Sequence, residues 1–242
     1  MYFYDMDLRS FYEQGAGHFL PNLSVDIVII GYEQGVLKAL LLRIGDKWLL
    51  PGGYIGRQES VDEAARRILA QRTGLEEPHL KFLSVFGSGE RTFSEQWQAF
   101  AEQAGITWRD DYWINDRFVT LAYYSLVHIE ETRPRVGEID EAIAWHPLDA
   151  LPEMWMDHPA IVQEARNRLK EDIRHEQVTF NLLPDSFTMP ELHHLHQTIL
   201  EEPLDRSRFQ KKMLATGLFE RLPELPKDSP GRNPYQYRVK SQ

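Results

Sequence analysis

Cysteine is absent from this chain of 242 residues. That excludes disulfides and thiolate metal sites and agrees with a cytoplasmic protein. No run of about 18 apolar residues occurs, so no membrane-spanning helix is expected. The start, Met1 to Glu13, mixes aromatic residues with Asp5, Asp7 and Arg9, unlike a signal peptide. No G-x-S-x-G nucleophile motif is present, and Gly87-Ser88-Gly89 reads as a turn. Positive charge is short as well: the formal net charge is −10, which argues against indiscriminate binding to nucleic acid. Hydrophobic residues are plentiful, at 42%, enough for one large core or two modest ones.

The charge is unevenly spread. From Val178 onward nine Lys and Arg face eight Asp and Glu, a net of +1, so residues 1–177 carry −11. From Leu204 onward nine basic residues face four acidic ones, a net of +5.

One stretch, Pro51 to Leu75, reads as a glycine-rich loop feeding a helix. Gly52 and Gly53 follow a short apolar strand, Trp48 to Leu50, and are expected to take positive φ and let the backbone approach a ligand. Ser60 and Glu63 have capping-box spacing, Val61, Ala64, Ala65, Ile68 and Leu69 recur as one buried face, and Gly74 stops the helix. The spacing resembles the Nudix box, G-x5-E-x7-R-E-U-x-E-E-x-G-U with U aliphatic. Gly53, Glu59, Arg67, Leu69, Gly74 and Leu75 fall in its register. The resemblance implies an α/β/α sandwich over a mixed sheet. It also implies magnesium-ligating glutamates at three places where this chain has Ile68, Gln71 and Arg72. Magnesium needs hard oxygen ligands, and Arg72 repels a cation, so no metal, no cofactor and no catalytic residue is expected. Glu59 is expected in a structural ion pair with Arg67, and Glu76 and Glu77 lie beyond the Gly74 stop.

Around this stretch, Val25 to Ile30 and Leu37 to Arg43 read as a hairpin turning at Gly31 to Gly35, and Phe82 to Phe86 and Phe118 to Ile129 read as further strands. Between the last two, Ser94 to Ala104 reads as a helix capped by Ser94 and ended by Gly105. The whole stretch to Asp116 is either a surface excursion burying its own aromatics or a lid or dimer contact. After a loop at Pro147 to Pro152, His158-Pro159 starts a helix running to about Ile173, and a domain boundary is expected at 175/176.

Beyond it, Val178 to Leu183 reads as a strand. Thr188, with Pro190 and Glu191, caps a helix whose buried stripe is Leu192, Leu195 and Ile199. Asp205 caps another, Arg206 to Thr216, ended by Gly217, with Phe209, Met213 and Leu214 turned inward. Two short capped helices joined by a tight turn are a helix-turn-helix signature, and Leu218 to Leu222 with Tyr235 to Val239 fit a two-stranded wing. Arg206, Ser207, Arg208, Gln210, Lys211 and Lys212 then form a DNA-reading face, joined by Thr188 and by wing residues Arg221, Lys227, Arg232 and Arg238. His193, His194 and His196 invite a metal reading, set aside because no further ligand converges in sequence.

Together the halves resemble the Nudix-related transcriptional regulators of the NrtR type. Asn181-Leu182-Leu183-Pro184, Phe187-Thr188 and Leu204-Asp205-Arg206-Ser207-Arg208-Phe209 carry the likeness in the second half. The fold class expected is therefore α+β, a Nudix α/β/α sandwich over residues 1–175 followed by a winged helix-turn-helix over 176–242. A homodimer on a pseudo-palindromic operator in double-stranded DNA is expected, because one helix-turn-helix reads a short half-site and two-fold symmetry supplies the rest. The resemblance implies a small-molecule effector, either ADP-ribose or an NAD-related nucleotide or a sugar such as arabinose. Arg43, Gly52, Gly53, Arg72 and Arg91 are the residues expected at the effector pocket, with Arg72 either neutralising Glu59 or meeting an anionic ligand. The alternatives are a working Nudix pyrophosphohydrolase on nucleoside diphosphate derivatives, or a structural interaction protein.

Overall fold

The computed structural model describes residues 6–76, 78–137, 140–176, 178–224 and 235–240. Strand β1 (Phe19–Glu33) is central, pairing with β2 (Val36–Ile44), β4 (Gly52–Gly56) and, in parallel, β6 (Val119–Val127). The sheet continues through β3 (Lys47–Leu49) and β7 (Ala142–Pro147), both on β2, and β5 (His79–Phe86) on β6. β1 is apolar without interruption from Ile27 to Ile30 because both its faces are covered. Val25, Ile27 and Ile29 pack with Ala64, Ala65, Ile68 and Leu69 of α2 (Val61–Thr73), while Val28 and Ile30 pack with Ile161, Val162, Ala165 and Leu169 of α4 (His158–His175). That is the expected α/β/α sandwich.

The β1–β2 hairpin is tighter than the sequence suggests. β1 runs on to Glu33, paired with Val36, and only Gln34 and Gly35, both at positive φ, form the turn.

Two segments escape the sequence reading entirely. The first is α1 (Leu8–His18), capped by the Asp7 side chain on Ser10 N–H, 3.0 Å. Its Gly15 leaves room for Trp113, since a Cβ there would sit 2.3 Å from the indole nitrogen. The second is β7. α3 (Ser94–Gln103) and Gly105 at φ 68° lie where expected, but Ser94 is no cap: its hydroxyl donates to Asn115 O, 3.0 Å, from inside the helix. Phe11, Tyr12, Trp97, Tyr112, Ile114 and Phe118 join α1, α3 and the following loop in one aromatic cluster, so the excursion does bury its own rings.

In the second half, Thr179–Leu182 is a 3-10 turn, not the expected strand. Thr179 and Leu182 are buried together while Asn181 is exposed, the i, i+3 pairing of that turn rather than the alternation of a strand. A three-stranded sheet, β8 (Phe187–Thr188), β10 (Tyr235–Val239) and β9 (Phe219–Glu224) in that order, packs with α5 (Met189–Leu200) and α6 (Arg206–Ala215). The core is continuous across the halves: Val28, Leu37 and Leu41 belong to the same cluster as Leu183, Leu192, Leu195 and Phe209.

Candidate functional site

A cavity of about 120 Å³ opens beside the glycine loop and α2, walled by Tyr54, Phe93, Trp97, Ile114 and Phe118. Gly52 and Gly53 line it, but not as a loop at positive φ; they are extended in β4. Their small size has another cause. A Cβ on Gly52 would meet Asp26 Oδ1 at 2.4 Å, and one on Gly53 would meet Ile68 at 3.0 Å.

α2 is built as its local signals require. Ser60 and Glu63 form the reciprocal capping box, 3.2 and 2.7 Å, and Gly74 closes the helix at φ 73°. Glu59 receives a two-pronged bond from Arg67, 2.6 and 3.0 Å, and accepts Gly56 N–H, while Arg67 also reaches Tyr54 O at 2.9 Å. Burial works against the Glu59 carboxylate, but Arg67 and the Gly56 N–H outweigh it and hold its pKa below the ordinary value. This pair therefore ties the loop to the helix.

Arg72 does not turn to Glu59. It is buried against Asp140, which also accepts Gly137 N–H at 2.7 Å, and it reaches Arg135 O at 3.4 Å. Arg91 is equally buried, bonded to Asp26 at 2.5 Å and to Asp157 at 3.1 Å. Arg43 is not in the cavity. Leu42 and Ile44 point into it, and strand alternation sends Arg43 to the opposite face, half exposed, 3.4 Å from Glu141. Ile68 packs on Gly53, Gln71 sits 3.5 Å from Arg67, and Arg72 is committed to Asp140. This flank offers magnesium no carboxylate, so the residues present do not fit the metal of the Nudix box. Among the described residues no three His, Asp or Glu side chains converge on a possible metal site.

The other charged surface is α6. Arg206, Ser207, Arg208, Lys211 and Lys212 are exposed and Gln210 is partly so, while Phe209 and Met213 are buried. Asp205 caps the helix through Arg208 N–H at 2.7 Å. Leu214, expected inward, is exposed. Thr188 is buried with its hydroxyl and N–H on Glu191, so it positions α5 and is closed to a phosphate. In the wing, Arg221 stacks on Tyr235 at 4.2 Å and Arg238 pairs with Glu220 at 2.8 Å. Lys227 and Arg232 lie outside the described residues. The three histidines do not converge on one point: His193 contacts Leu204 O at 2.9 Å and packs with His196 on the Phe209 ring, His196 also meets Thr179, and His194 abuts Gly35.

Residues 20–165 match the family model for the NUDIX domain. The chain belongs to the NUDIX family. Residues 179–239 of this NUDIX protein match a second model, the NrtR DNA-binding winged helix domain. It is 25% identical over 209 residues, 83% of this chain and 75% of the other, to a protein of Acinetobacter baylyi named ADPR responsive transcriptional repressor NtrR. Among solved structures, it resembles Shewanella oneidensis NrtR complexed with a 27mer DNA, with TM-score 0.67, 24% identity, and 90% of this chain and 93% of that one covered. It also resembles a MutT/nudix family protein from Enterococcus faecalis, with TM-score 0.64, 22% identity, and 98% and 96% covered. These likenesses place the fold of the NUDIX protein over nearly its whole length.

Sequence reasoning overlooked Asp26, Asp140 and His158 in the cavity. Asp26 did carry a signal, since an acid inside an apolar strand buried on both faces requires a partner. Asp140 carried none, because its partner Arg72 lies 68 residues away.

Proposed function

We propose that this protein is a ligand-responsive, DNA-binding transcriptional regulator of the cytoplasm, divided near 175/176. Its NUDIX half binds a small metabolite without hydrolysing it, and its winged helix reads an operator. The observation that carries this is α6: in an acidic protein, Arg206, Arg208, Lys211 and Lys212 stand exposed on a winged-helix frame and make no ion pair among the described residues. Arg and Lys at that face neutralise phosphates, and Ser207, Arg208 and Gln210 reach base edges. The protein acts as a homodimer, because one such helix reads a short half-site and two-fold symmetry supplies the rest. The relative named as responsive to ADPR supports ADP-ribose, or a related nucleotide or sugar, as effector.

α4 supplies the physical route between the halves. Its first residue, His158, lines the cavity, and its later turns hold the end of α5: Arg166 and Lys170 both bond Glu201, the latter at 2.6 Å. Glu201 sits at positive φ in the turn between α5 and α6. A shift at His158 thus moves the anchor of the reading helix.

A fluorescence titration of the full chain against DNA selected from a random pool tests the reading. Affinity that falls steeply with salt supports it, and salt-independent binding opposes it. Magnesium-dependent turnover of ADP-ribose or nucleoside diphosphate sugars at ordinary enzymatic rates would establish the pyrophosphohydrolase reading instead.

A further inference from the structure

His158 is 2% exposed and lines the cavity. Its Nδ1 accepts Leu50 N–H at 2.9 Å. In the neutral ring the proton therefore sits on Nε2, and Nε2 has no hydrogen-bond partner. Asp26 Oδ2, at 3.9 Å, is too distant to accept it. Burial, the largest influence, lowers the pKa of His158, so the ring is neutral. A buried N–H without an acceptor is rare in folded proteins, and one on a residue that lines a cavity can donate to a group bound there.

Both guanidiniums around it are already bonded to carboxylates. Among the described residues three carboxylates, Asp26, Asp140 and Asp157, face two guanidiniums, Arg72 and Arg91, leaving one net negative charge. A phosphate entering here meets a net negative charge and finds both arginines engaged. The volume, about 120 Å³, lies below the roughly 150 Å³ that accommodates benzene, so the cavity takes at most one small ring. It is far too small for a whole dinucleotide.

We infer that this cavity is a subsite for one uncharged, hydroxyl-bearing ring of pentose size, with His158 Nε2–H donating to a ring or hydroxyl oxygen, Asp26 and Asp140 accepting from hydroxyls, and phosphate excluded. The inference rests on the reading of the cavity as the effector site. It makes His158 a specificity-determining residue, and it assigns the ring to the part of ADP-ribose that ADP lacks.

Calorimetry on the full chain with ADP-ribose, ADP and free ribose tests it. The expected result is that ADP-ribose binds about tenfold or more tightly than ADP, as a site built to bond a hydroxyl rejects the analogue without it. His158→Phe should bring ADP-ribose to the level of ADP and leave ADP unchanged, and His158→Gln, which keeps an N–H, should retain most of the preference. Because His158 also holds Leu50, Met156→Trp gives an independent check. Met156 is exposed, lines the cavity and forms none of the ion pairs, and its replacement should narrow the entrance and erase the same preference. Equal affinity for ADP and ADP-ribose in the wild type, or a preference unmoved by both His158→Phe and Met156→Trp, overturns the subsite and leaves the nucleotide effector standing. Binding of ribose with no binding of ADP-ribose supports the subsite and removes the nucleotide effector. Binding of none of the three overturns both.

Discussion

Arginine does opposite work in the two halves of this molecule. In the NUDIX half Arg72 and Arg91 are buried and bonded to aspartates from distant segments, whereas on α6 Arg206 and Arg208 stand in solvent with no ion-pair partner among the described residues. A buried guanidinium bonded to a carboxylate organises its own chain. A free one at the end of a capped helix awaits an anion from outside. The same residue type therefore means architecture in one place and, in the function we propose, recognition in the other, and burial with a partner is what separates them.

Asp140→Ala should have the largest effect. It leaves Arg72 buried without its counter-charge, and about 3–5 kcal/mol of stability should be lost in urea denaturation. Replacing both, Arg72→Met with Asp140→Leu, should recover most of it, because a buried pair contributes little beyond an apolar replacement. A single-mutant loss below about 1 kcal/mol would mean the pair is not buried in solution.

On α6 the expected effect falls on DNA rather than on stability. Arg208→Ala should cost about 1–3 kcal/mol of operator affinity, and Lys211→Ala should reduce the salt slope by about one, with unfolding midpoints changed little. Loss of stability in place of affinity would erase the contrast between the halves.

His196 sharpens the comparison through pH. Burial first, then Lys212 and His193, lowers its pKa from 6.5 to about 4. The folded state binds the proton less readily than the unfolded one, so the contribution is complete above pH 6.5 and is lost as pH falls from 6.5 towards 4. That loss is on the order of 3 kcal/mol. Urea melts across this range should show it in the wild type and a smaller loss in His196→Gln, where buried His158 still contributes with the same sign. Smaller still, Thr188→Ala should cost about 1 kcal/mol through the cap of α5. It should leave the salt dependence of DNA binding unchanged, since this threonine is closed to phosphate.

Glu201→Gln should change stability least, by under about 1 kcal/mol, because its partners Arg166 and Lys170 are partly exposed. It should nonetheless weaken the effect of ADP-ribose on operator affinity, measured with and without the nucleotide. Unchanged coupling would rule out α4 as the route.

What was legible in the sequence follows one physical division. α2 and α6 were readable because their signals are local: Ser60 and Glu63, Gly74, Asp205 and Gly217 lie within a turn of what they cap. α1 was not, because Gly15 and Gly17 argue against a helix and only Trp113, far along the chain, explains why Gly15 is required. The 3-10 turn at Thr179–Leu182 was misread because a short apolar run does not declare its period. Leu214 was misplaced because the face of α6 was assigned one position too wide. In the cavity, Gly53 and Arg72 could be named from the box register and Arg91 from its place beyond a strand end, but their partners could not. Asp26, Asp140 and Asp157 are brought in by β1, by the chain before β7 and by the start of α4.

The function we propose is a coupling of metabolite binding to DNA binding without chemistry. The most direct measurement is fluorescence anisotropy of the full chain on its selected DNA, with ADP-ribose and magnesium present and the nucleotide assayed afterwards. The account predicts a shift of about tenfold or more in DNA affinity, the size of an ordinary allosteric coupling, with the ADP-ribose recovered intact. Unchanged affinity together with conversion of ADP-ribose to AMP and ribose phosphate would contradict it.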